Sequence, residues 1–370
     1  MPTPWRRRRR AAALAAAAVA GLALVGVALR FGPAVMLTLT LAFPGSETRL
    51  TAILAEPIRE EVVITVGGRR IAADLYHPPR PRVALLLVHG LSRAGRRHPE
   101  LVRLARLLAR HGQLVMVPEL AGLVEFRLSG AEIDDIRAAL GDLAARGHGV
   151  GIAGFSFGAG PALVAAAEVP DLRLVASFGG YAELANVIAY ITTGVHAFHG
   201  RRHAQRQQEY NRWKLLALLA GFLDSERDRR TVSAIATGRL ANPAVDTGAL
   251  EAGLGPEGQA ALRLALNRDE RAVAALVAAL SPRARATLEA LSPLRIMPHL
   301  RGRLLIGHGA ADDSIPFTES LRLAEAAGGR ARLAILHGFH HTGPRATWES
   351  LRDEAGDAWN LLRLADGLVD

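Results

Sequence analysis

No cysteine occurs anywhere in the 370 residues, which excludes structural disulfides, thiolate zinc sites and a cysteine nucleophile while leaving the redox compartment open. Nothing repeats at the fixed spacing of a solenoid, and the 37 glycines follow no collagen-like period. Zinc-finger and RNA-binding signatures are missing too, so the formal net charge of +10 has no nucleic-acid motif to serve. Six of those charges, Arg6 to Arg10 and Arg30, lie in or beside a hydrophobic tail, which leaves about +4 for the rest of the chain. The charge therefore points to membrane orientation, and no nucleic-acid partner is expected. What is present, 50% hydrophobic and 22% charged residues, is enough to bury a full globular core.

Charged residues are also absent from 11–29 (AAALAAAAVAGLALVGVAL). As a helix this run would extend about 28 Å, close to the thickness of a bilayer's hydrocarbon core. Five arginines precede it. The positive-inside rule then predicts a single-pass anchor with a cytoplasmic N-terminus and the remainder extracytoplasmic. A cleaved signal peptide and a buried Ala-rich helix are the alternatives. The next apolar stretch, 31–44, is too short to span alone and begins with a Gly-Pro break. The soluble part is expected to begin after residue 46.

From there the apolar pattern alternates between strand and helix. Glu61 to Val66 and Arg70 to Tyr76 flank Gly67-Gly68 as an antiparallel hairpin. Val83 to Val88 (VALLLV) is continuously apolar, as in a parallel strand covered on both faces. Leu101, Leu104, Ala105 and Leu108 give a crossover helix its buried face, and Leu114 to Val117 is the next strand. Further strands are predicted at Val150 to Phe155, Leu172 to Phe178, Arg303 to Gly307 and Arg332 to Leu336. The beat indicates a doubly wound, mostly parallel α/β sheet. It is interrupted over 182–292, which is Ala-, Leu- and Arg-rich with helical periodicity, as in Ala261 to Leu280. Four regions follow: a basic tail and anchor (1–46), the first part of the core (47–181), a helical insertion (182–292) and the rest of the core (293–370).

Gly154-Phe155-Ser156-Phe157-Gly158 matches G-x-S-x-G between a strand and a helical stretch. In that setting the serine occupies a strained turn, and the flanking glycines remove side chains that would collide there. The following helix directs its N-terminal amides toward the site where an acyl-transfer intermediate gains negative charge.

On these residues the chain resembles the α/β-hydrolase superfamily, over roughly 58–181 and 293–365. The resemblance implies a serine hydrolase with Ser156 as nucleophile. The segment VHGL, Val88 to Leu91, resembles the family's loop after the third strand, which makes the backbone N–H groups of Leu91 and Phe157 the implied oxyanion donors and His89 structural. GHGADDSIP, Gly307 to Pro316, resembles the acid signature, with Asp312 as the acid and Asp313 as its alternate. HGFHH, His337 to His341, supplies the base, His341 by alignment and His340 as alternate. The usual glycine just before the histidine is missing. A metal reading of the three imidazoles lacks a second group of ligands, so neither metal nor other cofactor is implied. The insertion takes the family's lid position. Its basic section, 196–214, precedes an apolar one, Leu215 to Leu223, a pair suited either to an anionic lipid surface or to a solvated helix followed by one packed on the main domain. The expected reaction is cleavage of a small-molecule or lipid ester through an acyl-enzyme on Ser156. The alternatives are an acyltransferase or thioesterase on the same triad, or a non-catalytic binding protein on this scaffold.

Overall fold

The computed structural model describes residues 23, 25–43, 47–340, 343–344 and 351–369. An eight-stranded sheet, ordered β1-β2-β4-β3-β5-β6-β9-β10, forms its centre. Its strands are β1 (Ile58–Val66), β2 (Arg69–His77), β3 (Val83–Val88), β4 (Gln113–Pro118), β5 (Val150–Phe155), β6 (Leu174–Phe178), β9 (Leu304–Gly309) and β10 (Ala331–Leu336). A short hairpin outside the sheet, β7 (Val195–Phe198) and β8 (Arg201–Ala204), completes the series. β1 and β2 pair antiparallel through Gly67-Gly68, both at positive φ, the backbone a tight twisted hairpin needs. β2 joins β4 antiparallel, and every later pairing in the sheet is parallel. Each of the eight overlaps a strand expected from the sequence, with ends that differ by up to three residues.

Each central strand supplies both faces. Ala84, Leu86 and Val88 of β3 join one apolar cluster with Leu114, Met116, Ile152 and Ile306. Leu85 and Leu87 join a second with Val115, Val117, Ala153 and Leu305. Strand side chains alternate by two, so a strand covered on both sides must be apolar throughout, as VALLLV is. The first face is covered by helices Ala131–Ala144 and Ala159–Ala167, the second by Pro99–Arg110 and Leu351–Val369.

The N-terminal expectation needs correction at Gly32-Pro33. A single helix, Val25–Ala42, runs through the pair, long and apolar enough to cross a membrane and mostly exposed. Proline removes only the bond to the Leu29 carbonyl, four residues back on an exposed turn. Downstream, Ala34 and Leu37 are fully buried in the second cluster beside Leu101, Leu108 and Leu364. Arg103 donates to the Thr40 carbonyl and Arg30 pairs with Asp366 at 2.6 Å. Docking thus holds the helix together past the proline. Most of the run expected to span the bilayer, residues 11–22 and 24, lies outside the described residues.

The ends of the 182–292 interval meet. Leu294 N–H donates to the Ala182 carbonyl, and Leu184 N–H to Ser292 Oγ at 3.0 Å. Glu319, buried on helix Thr318–Ala327, accepts the N–H groups of Ala182 (3.1 Å) and Glu183 (2.8 Å). Inside the interval two expectations change. The basic section begins as the β7-β8 hairpin, turned at Phe198-His199-Gly200, and becomes helical only at Glu209–Ala220. Ala261 to Leu280 is not one helix: Pro256–Leu266 stops where Asn267 and Asp269 bond to the local backbone, and Val273–Ala278 follows. The apolar section faces inward, with Leu215, Leu216, Leu218, Leu219, Phe222 and Leu223 all buried. That leaves no apolar face there for a lipid surface.

Candidate active site

Phe155 ends β5 in extended conformation, and Ser156 turns abruptly to φ +52 before helix Ala159–Ala167 begins. A serine at positive φ is strained, and such strain persists only when its surroundings enforce it. Three glycines supply that enforcement. A Cβ on Gly154 would stand 2.5 Å from the Ala159 Cα, and one on Gly158 would stand 2.1 Å from the His89 carbonyl oxygen. On Gly90 it would stand 2.8 Å from the Ser156 Cβ and 3.3 Å from its Oγ. The last of these lies outside the pentapeptide motif, and it brings the loop after β3 against the nucleophile turn.

His89 fixes that loop. Its ring faces the Gly90 carbonyl through Nδ1 at 2.8 Å, so Nδ1 carries the proton, and Nε2 accepts the Leu120 N–H at 3.1 Å. Burial holds the ring neutral by pushing its pKa down. The histidine therefore ties the loop after β3 to the loop after β4, the structural part expected of it. Leu91, half-buried, follows in the same loop, and Phe157 is buried at the start of the short turn into the helix.

The two aspartates after β9 face opposite ways. Asp312 is buried, and its Oδ1 accepts the N–H groups of Ser314 (2.8 Å) and Ile315 (2.9 Å). Its Oδ2 lies 3.5 Å from His308 Nε2 and equally close to where a Cβ on Gly179, just past β6, would stand. Asp313 is turned to the insertion, with Oδ2 accepting Gln208 Nε2 at 2.8 Å and its carbonyl accepting Asn211 Nδ2 at 2.8 Å. The Asp312 carboxylate thus lies beside Gly179, just past the C-terminal end of β6, while the Asp313 carboxylate points to the insertion.

The base loop is visible in part. His341 lies outside the described residues, and the backbone of His340 belongs to a two-residue strand, Phe339–His340, paired with Gly343–Pro344. The chain entering this loop is clamped. Asp357, fully buried on helix Leu351–Val369, accepts the N–H groups of His337 (2.9 Å) and Gly338 (2.7 Å).

Several contributors escaped the sequence reading. His308 donates from Nε2 to the Ile315 carbonyl (3.0 Å) and accepts at Nδ1 from Ser320 Oγ (2.6 Å), bracing the acid loop from beneath. Lys214, the only lysine in the chain, donates to Ser314 Oγ at 3.3 Å. Burial pushes its pKa down, opposed by Asp313 and Asp312. A solitary aspartate such as Asp357 has no sequence signature, because its partners are backbone amides about twenty residues away. Beside Leu91 a cleft of about 400 Å³ opens between the loop after β3 and the insertion, lined also by Arg93, Phe126, Tyr210, Thr237 and Leu240.

Eight strands in this order, with the strained serine after the fifth and a buried aspartate after the seventh strand of the sheet, constitute the α/β-hydrolase fold implied by the sequence resemblance. No protein-family model matches the chain, and no curated protein matches it. Among solved structures it is similar to an acylaminoacyl peptidase from Pyrococcus horikoshii, at 13% identity and TM-score 0.49, over 86% of this chain and 41% of the peptidase. It is also similar to the esterase domain of a Rhodothermus marinus protein, at 17% identity and TM-score 0.44, over 82% of this chain and 96% of that domain. An esterase from Pyrococcus furiosus matches at 13% identity and TM-score 0.47, over 85% and 92%. The chain spans less than half the length of the peptidase. All three TM-scores lie below one half, so the fold rests on the strand order and the serine turn of this chain itself.

Proposed function

We propose that the chain is a serine hydrolase that cleaves a carboxylic ester with a lipophilic portion, by way of an acyl-enzyme on Ser156. The observation that carries this reading is the positive φ of Ser156 between an extended strand and a helix N-terminus. In the reaction, Oγ attacks the ester carbonyl as the imidazole of His341 takes its proton, with the N–H groups of Leu91 and Phe157 facing the oxyanion. The imidazolium returns the proton to the leaving alkoxide. Water, deprotonated by the same ring, then attacks the acyl-enzyme and releases the carboxylic acid. Asp312 holds the imidazole in one tautomer, with His340 and Asp313 as the alternates for base and acid. The 182–292 interval acts as the lid, and the apolar run 11–29 as a single-pass anchor with the domain on the extracytoplasmic side.

The test is covalent labelling by a fluorophosphonate, which needs an activated serine and no knowledge of the substrate. Wild-type protein is expected to label and Ser156→Ala to remain unlabelled with an unchanged melting temperature. Absence of labelling in the folded wild-type protein would favour a non-catalytic binding role instead.

A further inference from the structure

The loop after β3 carries three arginines, and two are fully engaged. Arg96 is buried against Asp74 (2.7 Å), Glu61 (3.0 Å) and Glu119 (3.6 Å), and Arg97 pairs with Glu61 (2.9 Å) and Asp74 (3.2 Å). Arg93 differs. Its guanidinium has no carboxylate partner among the described residues and stands 5.7 Å from the centre of the Phe126 ring. Phe126 is itself held at φ +59 and buried, an unusual backbone conformation for a bulky side chain. Its ring forms part of the cleft wall beside the arginine.

That cleft holds about 400 Å³, within the range of small-molecule sites. Leu91, Phe126, Leu240 and Ala241 make much of its lining apolar, and Arg93 is the one charged residue that lines it among the described residues. Leu91 follows Gly90, whose hypothetical Cβ would stand 2.8 Å from the Ser156 Cβ, so the loop that lines the cleft is the one that packs on the nucleophile turn. A guanidinium stacked on an aromatic face keeps its edge donors free, and those donors match an oxyanion in a forked pair.

We propose that this cleft receives the non-polar portion of the substrate and that Arg93 selects esters whose far end carries an anionic oxygen group, a carboxylate or a phosphate. The inference rests on the hydrolase reading for its placement beside Ser156, but binding alone can test it. An apolar body between the two ends satisfies the lining, and the anion satisfies the guanidinium. A neutral ester of the same length leaves Arg93 to water and gains only the apolar contact.

The experiment uses Ser156→Ala protein, which cannot turn over, and calorimetric titration with monomethyl suberate, its neutral dimethyl ester and the analogue ending in phosphate. At low salt an anionic form is expected to bind about tenfold more tightly than the neutral one, the scale of a partly exposed charge-assisted pair. Carboxylate and phosphate arms then identify which anion fits. Adding Arg93→Gln should erase the difference, Arg93→Lys should restore part of it, and rising salt should shrink it. Equal affinities for neutral and both anionic ligands, or a preference that survives Arg93→Gln, would overturn the proposal. Fluorophosphonate labelling of the wild-type protein reports separately on the serine, so an unlabelled enzyme with an Arg93-dependent anion preference would sink the hydrolase reading and leave this site standing.

Discussion

Replacing Asp312 by Asn tests the acid at the least cost to the fold. The amide keeps Oδ1, so the bonds from the N–H groups of Ser314 and Ile315 survive, though two charge-assisted bonds become neutral ones. The exchange weakens them by about 1–2 kcal/mol in all. Removing a buried charge offsets part of that. On the proposed triad catalysis should suffer far more, because an NH₂ group would replace the oxygen assigned to the imidazole, and the same exchange in a Ser-His-Asp triad costs about 10⁴-fold. That rate loss corresponds to about 5 kcal/mol of transition-state stabilisation. Asp313→Asn is the control: among the described residues its Oδ2 receives only the exposed Gln208 amide, and the rate should stay within a few-fold of wild type. The assay is turnover of a chromogenic short-chain ester beside a melting curve for each variant. Asp312→Asn retaining more than a tenth of the activity while Asp313→Asn collapses would refute the argument from burial and orientation.

The base is tested by His341→Ala, expected to lower the rate by several orders of magnitude, against His340→Ala with a smaller loss; the reverse would move the base by one residue. Truncation through residue 24 should leave a folded domain, whereas removal through residue 43 uncovers the groove that Ala34 and Leu37 fill and should lower the melting temperature. Leu37→Ala alone is expected to cost about 2–5 kcal/mol in chemical unfolding, and a loss under about 0.5 kcal/mol would show that the helix is not docked. His111 and His196 are both held neutral by burial, with pKa values lowered to about 4. The unfolded chain takes up those protons first, near its ordinary value of about 6.5. Stability should therefore fall as pH drops below about 6.5 and level off below about 4; a His111→Gln variant should show a shallower acid slope in melting temperature, and an unchanged slope would exclude that ring as a cause.

Legibility in the sequence followed the range of the interactions. VALLLV could be read as a covered parallel strand because the demand for two apolar faces acts on every one of its residues. Ser156 could be read because Gly154 and Gly158 are local consequences of the turn. The hairpin Val195–Phe198 with Arg201–Ala204 was not read: its residues carry as many charges and histidines as a solvated helix, and what holds it is the packing of His196 on Phe317 and its bond to Thr318 Oγ1, over a hundred residues away. Gly32-Pro33 failed as a helix break because propensity yielded to docking, a tertiary effect invisible in the dipeptide. Asp312 was preferred to Asp313 by its place in the acid signature alone; which way each side chain turns is not written in two adjacent identical residues.

The N-terminal helix also settles which rim of the sheet lies nearest the start of the chain. Arg30 reaches Asp366; the neighbouring Gly367 lies against Leu305 at the beginning of β9, and the Leu368 carbonyl accepts Gln113 at the beginning of β4. These are the entry ends of parallel strands. Ser156 and Asp312 follow the exit ends, about 20 Å away across six residues of strand. A bilayer gripping the residues before Arg30 would press against the entry rim, with no slack between helix and domain to let the molecule turn over. On the proposed function, Ser156 would then look out into the aqueous compartment, and an ester would reach it from solution, not out of the lipid leaflet underneath.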